Sequence, residues 1–411
     1  MKRGWGMGDG RWGTALLRMA LILALSLLAT VARAQEGAHP GDTLRASVLT
    51  FAPGETYWAR FGHNAILMEN TATGANAVYN YGMFDFFQKN FFLNFARGHM
   101  LYRLDVDTLD RTLALYASEG RWVRQQALNL TPQQRLDLAV FLDRNARPDQ
   151  AQYRYDYFRD NCSTRVRDAI DRVVGGAIAQ RLKAEPVPVT YRSEASRLMR
   201  PLWPLAVGMD LILGPGADAP ISRWEQSFVP DVFSAALATQ TLHGAPLVSE
   251  TKLLVADSGR FIAPDSPLLL GRYVWLPGVL LGALLAFSGR RARRWPFALL
   301  ATPLLLLAGV GGLLMLAAWT LTDHWAMHAN ALLGWFNPVA LLLLAAVWRD
   351  RRGLLSARRQ PLARFALLAW LLSGVAATAF GGFSQANVWV WTTFWLPIYW
   401  GLASGLHRRL A

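Results

Sequence analysis

The sequence predicts an α+β domain followed by a bundle of five transmembrane α-helices. Residues 35–267 mix charged residues with short strand-like and helical apolar patterns, and they are numerous enough for one sizeable domain. From about Leu268 the composition becomes typical of a membrane protein. The predicted organisation is a signal peptide at 1–34, an exported domain at 35–267 and a membrane domain at 268–411.

The N-terminal stretch has the parts of a signal peptide. Several Lys and Arg residues precede an apolar run from Met19 to Val31, and Ala32-Arg33-Ala34 has the small-x-small pattern of a cleavage site. The apolar run is short for a membrane span, which favours cleavage over a retained anchor.

The C-terminal part contains five apolar segments, and each approaches the length that crosses a bilayer. They are Leu268–Ser288, Pro296–Leu321, Ala331–Trp348, Leu362–Phe380 and Val388–Leu406.

The distribution of basic residues predicts the orientation of these segments. Arg clusters at 290–294 and 349–359 and a final cluster at 407–409 alternate with connections at 322–330 and 381–387 that contain no Lys or Arg. Because basic loops stay in the cytoplasm, the preceding domain is expected outside and the C-terminus inside. The net charge of +14 is thus partly topogenic, and it does not indicate a nucleic-acid partner.

The first part of the exported domain predicts paired strands. A linker and a strand are expected within His39–Phe51, and apolar residues alternate along Ala59–Glu69. A hairpin-like turn at 71–76 then leads to a return strand at Ala77–Gly82. Further strands are expected at Leu101–Leu104 and Trp122–Leu128, and helices at Thr108–Ser118 and from Thr131, with Thr131 as N-cap and Pro132 at the first helical position.

Cys162 is the single cysteine of the chain, so it forms no intramolecular disulfide. It precedes a helical pattern at Ser163–Val174 with Asn161 or Ser163 as N-cap, and Gly175-Gly176 ends the helix. A helix N-terminus lowers the pKa of a thiol, so a reactive thiolate nucleophile is expected. The alternative is an inert, buried cysteine that packs as a small apolar residue.

His63 is the candidate base, because a nucleophilic thiol needs one and Gly62-His63-Asn64 begins a strand-like run. Adjacent antiparallel strands place their residues within about 5 Å of each other. Asn80 on the return strand is therefore the first candidate to orient the imidazole, with Tyr79 and Tyr81 as alternatives. Asn80 could equally serve as an ordinary hydrogen bonder at a strand end.

Two further segments have two interpretations each. Six Phe residues crowd Phe84–Phe95, which predicts a core cluster or, alternatively, a surface that contacts lipid. The apolar stretch Glu194–Leu213 predicts a helix that lies on the membrane or packs against the spans.

The connection at 322–330 carries Asp323, His324 and His328 between two apolar segments, on the same predicted side as Cys162. Polar residues at a membrane edge are costly without a role, so this loop is expected to pack under the thiol domain and help to bind a headgroup or acceptor. The alternative is a solvated loop. Two His and one Asp lack a clear fourth ligand, so no metal site and no cofactor are expected.

Seven segments of the chain together form a pattern: Phe61–His63, Tyr79–Gly82, Leu128–Thr131, Tyr153–Tyr155, Asp160–Arg165, Trp224-Glu225 and Phe228–Pro230. In these segments the chain resembles the Lnb-type bacterial lipoprotein N-acyltransferases, which have a periplasmic domain and a five-span C-terminal domain. The resemblance implies a multi-pass protein of the bacterial inner membrane. It also implies an acyl donor among the membrane phospholipids and an apolipoprotein as the acceptor.

The order His63 before Cys162 also resembles circularly permuted papain-like (NlpC/P60-like) enzymes, such as the lecithin:retinol acyltransferase group. That resemblance implies Cys162 as nucleophile and His63 as base. Asn161, Ser163, Thr164 and Tyr81 are expected to support the site or bind substrate. The related group has a second His on the following strand, but Ala77–Gly82 contains none. A membrane-anchored thiol hydrolase and a non-catalytic scaffold remain the alternative functions.

Overall fold

A computed structural model describes residues 19–24, 39–290, 295–351 and 360–410. The predicted cleavage site at 32–34 lies outside these ranges, as do the basic residues at 2–18, 291–294, 352 and 358–359.

The exported domain is built on one seven-stranded antiparallel sheet. In chain order the strands are β1 (Leu44–Phe51), β2 (His63–Asn70), β3 (Asn76–Met83), β4 (Leu101–Asp107), β5 (Val123–Leu128), β6 (Gln152–Arg154) and, after a separate two-stranded ribbon of β7 (Thr241–Leu242) and β8 (Ala245–Pro246), β9 (Val248–Val255). Their order across the sheet is β6-β4-β3-β2-β1-β5-β9. The central hairpin of β2 and β3 agrees with the sequence prediction, whereas the two edge strands β6 and β9 were not expected.

The second strand begins later than the sequence predicted, at His63 rather than Ala59. Residues Tyr57–Ala59 form a 3-10 turn instead. Gly62 then takes a left-handed backbone conformation with φ of 80°. A Cβ at Gly62 would lie 2.8 Å from the Phe51 carbonyl oxygen, so only glycine fits immediately before His63.

Helices cover both faces of the sheet. The exported domain contains α1 (Phe91–Arg97), α2 (Leu109–Ser118), α3 (Pro132–Asn145), α4 (Cys162–Val173), α5 (Ala177–Lys183), α6 (Tyr191–Met199), α7 (Trp203–Ile212), α8 (Arg223–Gln226) and α9 (Pro230–Ala238). Helices α3, α4 and α9 bury one face, which carries Ile66, Tyr79 and Tyr81. Helix α2 covers the opposite face, which carries Phe51 and Ala65.

The apolar stretch at 194–213 forms two helices rather than one. The 3-10 turn Arg200–Leu202, which contains Pro201, separates α6 from α7, and Pro204 lies in the first turn of α7, where the missing backbone donor is tolerated. The apolar side of α7 packs against the C-terminal core through Val207, Leu211 and Ile212, which matches the packing alternative of the prediction.

The C-terminal region is helical. It contains α10 (Trp275–Gly289), α11 (Trp295–Leu321), α12 (Ala340–Arg351), α13 (Gln360–Ala376) and α14 (Val388–Leu410). Among the described residues, the stretches Trp295–Leu321 and Gln360–Gly381 are long and apolar enough to cross a membrane by length and composition.

The first and third predicted apolar segments are helical only in part. The first segment opens with the 3-10 turn Leu270–Arg272, and its helix begins at Trp275. The third opens with the 3-10 turn Ala331–Gly334, and its helix begins at Ala340, two residues after Pro338.

Buried polar side chains join the two regions. The Asn330 amide donates to the carbonyl of Leu211 at the end of α7, at 2.8 Å. The Asp210 carboxylate accepts from the Asn387 amide at 2.9 Å and from the Trp391 indole at 2.8 Å. Because these groups are buried, each depends on its partner, and the two regions are held in one arrangement.

Candidate active site

The helix that begins at Cys162 is held in place by a reciprocal capping box. The Asn161 side chain accepts from the Thr164 backbone at 2.9 Å, and the Thr164 hydroxyl accepts from the Asn161 backbone at 2.8 Å. The Asn161 amide also donates to the Phe228 carbonyl at 2.9 Å, and the Ser163 hydroxyl donates to the Ser227 carbonyl at 2.7 Å. These three predicted supporting residues therefore anchor the helix start to the segment at 227–228.

The Cys162 thiol reaches the sheet where β2 and β3 stop pairing. The register of the two strands runs to the pair Ile66 and Tyr79, and the residues beyond that pair diverge. The backbone N–H of Asn64, which lies in this opening, and those of Ser163 and Cys162 itself are near the sulfur and favour its anion. The thiol thus lies at the opening between the two strands, with three backbone N–H groups around it.

Gly82 makes room for the thiol helix on the β3 side of this opening. Its φ is 87°, and a Cβ there would lie 3.3 Å from the Cβ of Cys162. A side chain would therefore be both strained and in close contact with the nucleophile candidate.

The predicted lowering of the thiol pKa is wrong for this structure. Burial raises the pKa of Cys162 to about 11, although the N–H groups of Asn64, Ser163 and Cys162 oppose it. The side chain is 9% exposed. Desolvation of the anion therefore outweighs the helix N-terminus, and the resting thiol is protonated at neutral pH.

His63 forms a hydrogen bond with Asn80, as the sequence predicted. The Nε2 to Oδ1 distance is 3.3 Å. The Asn80 amide nitrogen donates to the Val78 carbonyl, also at 3.3 Å, which turns the amide oxygen toward the ring. Because that oxygen can only accept, Nε2 carries the proton and Nδ1 keeps a free lone pair.

The His63 ring is neutral at rest. Burial lowers its pKa to about 4, the charge of Arg121 lowers it further, and the bond from Asn80 opposes both. Arg121 is buried and fixed by the Glu119 carboxylate at 2.8 Å and the Ala52 carbonyl at 2.8 Å. A neutral imidazole with a free Nδ1 can act as a proton acceptor.

The two predicted catalytic side chains approach the opening from different faces of the sheet. The His63 ring lies 5.5 Å from the ring of its cross-strand neighbour Phe51, on the face that α2 covers. Cys162 belongs to the core on the other face. No hydrogen bond joins the His63 ring to the thiol in the described part of the chain, although the backbone of the adjacent Asn64 contacts the sulfur.

The alternative partners of His63 are engaged elsewhere. The Tyr79 hydroxyl donates to the Asp143 carboxylate on α3. Tyr81 is buried against Tyr153, with ring centroids 6.1 Å apart, and burial raises its pKa to about 12. Of the three candidates on β3, Asn80 is the one that contacts the ring.

The loop that follows α11 docks on the thiol domain. His324 is buried, its Nε2 donates to the Phe95 carbonyl at 2.9 Å, and its Nδ1 accepts from the Tyr157 hydroxyl at 3.0 Å. Tyr157 lies five residues before Cys162. The predicted packing of this loop under the thiol domain is therefore present, but His324 is occupied by contacts between the domains.

The other two predicted residues of this loop, Asp323 and His328, have different hydrogen-bond partners. The Asp323 carboxylate accepts from His99 at 2.8 Å and from Arg154 at 2.5 Å, and these two bonds lower its pKa. His328 instead bonds within its own loop, to the Thr322 carbonyl at 2.9 Å. In the ranges that the structure describes, no group of three or more His, Cys, Asp and Glu side chains is arranged to hold a metal ion.

Sequence reasoning missed Gly82, Asn64 and Arg121. The glycine could have been found from its place at the end of Tyr79–Gly82, since a glycine at a strand end often marks a close approach of backbone. No sequence pattern indicated the roles of the Asn64 backbone N–H and of the Arg121 charge. The first depends on the divergence of two strands, and the second depends on burial beside His63.

Two family models match the chain. A model described as the Lnb N-terminal periplasmic domain matches residues 32–197, and one described as the Lnb transmembrane domain matches residues 272–375. No curated protein and no solved structure matches. The two ranges together cover about two thirds of the chain and leave out residues 1–31, 198–271 and 376–411. The chain therefore belongs to the Lnb family and is a membrane protein with a periplasmic N-terminal domain.

Proposed function

We propose that the protein is a lipoprotein N-acyltransferase that carries the acyl chain on Cys162. The strongest support is the position of the Cys162 thiol in the opening between β2 and β3, near three backbone N–H groups. One of these groups belongs to Asn64, the residue that follows His63. The Lnb family suggests the same class of reaction. The acyl donor is a membrane phospholipid, and the acceptor is the N-terminal amine of a diacylglyceryl-cysteine on an apolipoprotein.

In the first half-reaction the sulfur of Cys162 attacks the ester carbonyl of the phospholipid. Nδ1 of His63 takes the thiol proton, while Nε2 stays bonded to Asn80. The N–H groups of Asn64 and Cys162 stabilise the oxyanion of the tetrahedral intermediate. Collapse breaks the ester bond, His63 returns the proton to the leaving alkoxide, and a lysophospholipid departs from the thioester.

In the second half-reaction the acceptor amine attacks the thioester. His63 takes a proton from the amine, the carbon–sulfur bond breaks, and the thiolate is reprotonated as the amide forms. Each half-reaction leaves Cys162 and His63 neutral.

The resting pKa values of Cys162 and His63 indicate at which step the thiol proton is transferred to the imidazole. With the thiol near 11 and the imidazole near 4, a separate thiolate–imidazolium pair would cost on the order of 10 kcal/mol before their mutual attraction. Proton transfer is therefore coupled to attack on the carbonyl. It also requires Nδ1 to move within hydrogen-bond reach of the sulfur, and catalytic hydrogen bonds commonly tighten when substrate binds.

The architecture that goes with this proposal is a permuted papain-like domain at 35–267 and five spans at 268–411. A central antiparallel sheet with a thiol at a helix start and a His on a preceding strand supports the first part. The spans would place the C-terminus in the cytoplasm and the protein in the bacterial inner membrane. The signal peptide at 1–34 would be removed.

A transfer assay with the full-length protein tests the proposal. The protein is incubated with phospholipid vesicles and a synthetic diacylglyceryl-cysteine peptide, and the peptide is analysed by mass spectrometry. We expect the peptide to gain the mass of one acyl chain, and the gain to disappear in Cys162→Ala. Release of free fatty acid or of a cleaved peptide, with no mass gain, would instead indicate the hydrolase alternative.

A further inference from the structure

The connection between β3 and β4 and the turn before β2 together carry a group of aromatic side chains that project from the domain. We call Tyr57, Trp58, Phe86, Phe87, Phe92 and Phe95 the aromatic surface. Phe87 is 98% exposed and Phe92 is 75% exposed. The core cluster that the Phe-rich sequence favours is therefore not formed by these residues. Exposed apolar groups of this size mark a surface that another apolar phase covers.

The aromatic surface is ordered by contacts among its own rings. Phe91, on α1, lies 5.1 Å from Phe86 and 5.3 Å from Phe92. Trp58, from the turn before β2, lies 6.1 Å from Phe86. Two chain segments thus combine into one face, and the rings that point outward are held by those beneath them.

The same connection is attached to the end of a transmembrane helix. Helix α11 ends at Leu321, and the next residues bond to the end of α1. The Asp323 backbone donates to the Arg97 carbonyl at 2.9 Å, and His324 donates to the Phe95 carbonyl at 2.9 Å. The aromatic surface is therefore fixed at the level where α11 leaves the bilayer.

A line of rings connects this face to the thiol. Phe84 lies 5.1 Å from Tyr102, and Tyr102 stacks on Tyr155 at 4.1 Å. Tyr155 in turn lies beside Gly82, which contacts Cys162.

We propose that the aromatic surface inserts into the boundary between headgroups and acyl chains of the periplasmic leaflet and takes phospholipid acyl chains as its occupant. Continuity with α11 and the exposed Lys89 and Arg97 at its edges support a bilayer over another protein, because such basic residues meet lipid phosphates. The step from the bilayer along the rings to Cys162 rests on the proposed function.

Spin labelling tests the insertion without reference to the reaction. Cys162 is the single cysteine, so Phe87→Cys and Phe92→Cys can each be labelled in a Cys162→Ser background of the full-length protein. The labelled proteins are placed in nanodiscs of phosphatidylethanolamine and phosphatidylglycerol. Val140→Cys is the matched control, since Val140 is an exposed apolar residue on α3 outside the aromatic surface.

We expect the labels at 87 and 92 to be more accessible to oxygen than to an aqueous nickel reagent, and the label at 140 to show the reverse. Aqueous accessibility at 87 and 92 would overturn the proposal. Broadening by a label on a second molecule would also overturn it, because it would identify another copy of the chain as the occupant.

A second measurement addresses the path to the thiol. Phe87→Asp with Phe92→Asp should slow acylation of Cys162 by vesicle phospholipid at least about tenfold, because charged residues are excluded from the interface. Acylation by a short water-soluble ester should stay within about twofold of wild type. Val140→Asp with Leu253→Asp is the control pair. An equal loss of acylation rate with vesicle phospholipid and with the short ester would overturn the proposed path from the aromatic surface to Cys162. If the labels at 87 and 92 lie in the bilayer but the unaltered protein is not acylated, only the proposed function is refuted.

Discussion

The Cys162 thiol and the His63 imidazole are both uncharged at rest, because both are buried. The backbone N–H groups of Cys162 and Ser163 at the helix N-terminus and that of Asn64 favour the thiolate, yet burial of the sulfur raises its pKa to about 11. Burial acts in the opposite sense on His63 and lowers its pKa to about 4. In the proposed mechanism the thiolate therefore forms during the reaction and is not present at rest.

The reactivity of Cys162 toward a small thiol reagent should follow from this state. A raised pKa means that the thiolate fraction is small at neutral pH and grows as pH rises toward about 11. We expect the rate of methanethiosulfonate modification to rise about tenfold per pH unit between pH 7 and 9. The rate is obtained by quenching the reaction at fixed times and measuring the mass of the intact protein. A rate that is flat from pH 5 to 9 would instead reveal a preformed thiolate–imidazolium pair.

The role of Asn80 can be separated from general packing by two substitutions. Asn80→Leu keeps the size but removes the acceptor for Nε2–H, so the ring loses its fixed tautomer and acylation should fall by about tenfold or more. Asn80→His restores an acceptor on β3 and should retain most of the activity. The rate of acyl-enzyme formation is the measurement. Equal activity in the two variants would remove Asn80 from the site.

At the scale of elements, the divergence of β2 and β3 provides the opening in which the Cys162 thiol lies. Gly82→Ala should close part of the opening, because the new Cβ meets Cys162 at 3.3 Å. Gly74→Ala is the matched control, since Gly74 also has a positive φ, of 73°, but has no atom within 4 Å of an added Cβ. Both variants should lose about 1–2 kcal/mol of stability from backbone strain. Only Gly82→Ala should slow acylation, as measured beside thermal unfolding. An equal effect of the two on acylation would refute the close approach.

The loop after α11 offers a second test at this scale. His324→Ala leaves the Tyr157 hydroxyl without its partner, at a cost of about 1–3 kcal/mol, and removes one of the two donors to the Phe95 carbonyl, which keeps the Gly98 N–H. We expect slower transfer from vesicle phospholipid, while Cys162 still reacts with a small thiol reagent. His328→Ala should have less effect, because His328 bonds within its own loop. An unchanged transfer rate in the variant with both substitutions would exclude the loop from function.

Local patterns predicted the elements that carry the site. The alternation before Glu69, the turn at 71–76 and the cap at Asn161 reflect short-range backbone preferences, and the structure has β2, β3 and α4 where they indicate. The edge strand β9 was missed because it pairs with β5, which lies about 120 residues earlier in the chain. Only the assembled sheet provides its partner.

At the scale of the whole molecule, burial determines the protonation state of the Cys162 thiol. Whether the thiol is ionised depends on desolvation by residues from several distant segments, which no local pattern encodes. The attachment of the periplasmic domain to the membrane domain through Asn330, Asp210 and His324 likewise joins residues more than 100 positions apart. These contacts hold the thiol domain against the membrane domain, which is the position that the proposed bilayer substrates require.

The central claim is that an acyl chain passes through Cys162. The most direct measurement is the intact mass of the full-length protein after incubation with phospholipid of a single acyl composition and no acceptor. We predict a mass gain of one acyl chain that maps to Cys162, that hydroxylamine removes, and that is absent in Cys162→Ala. Transfer of the acyl chain to a lipopeptide by Cys162→Ala, or an adduct on another residue, would contradict the account.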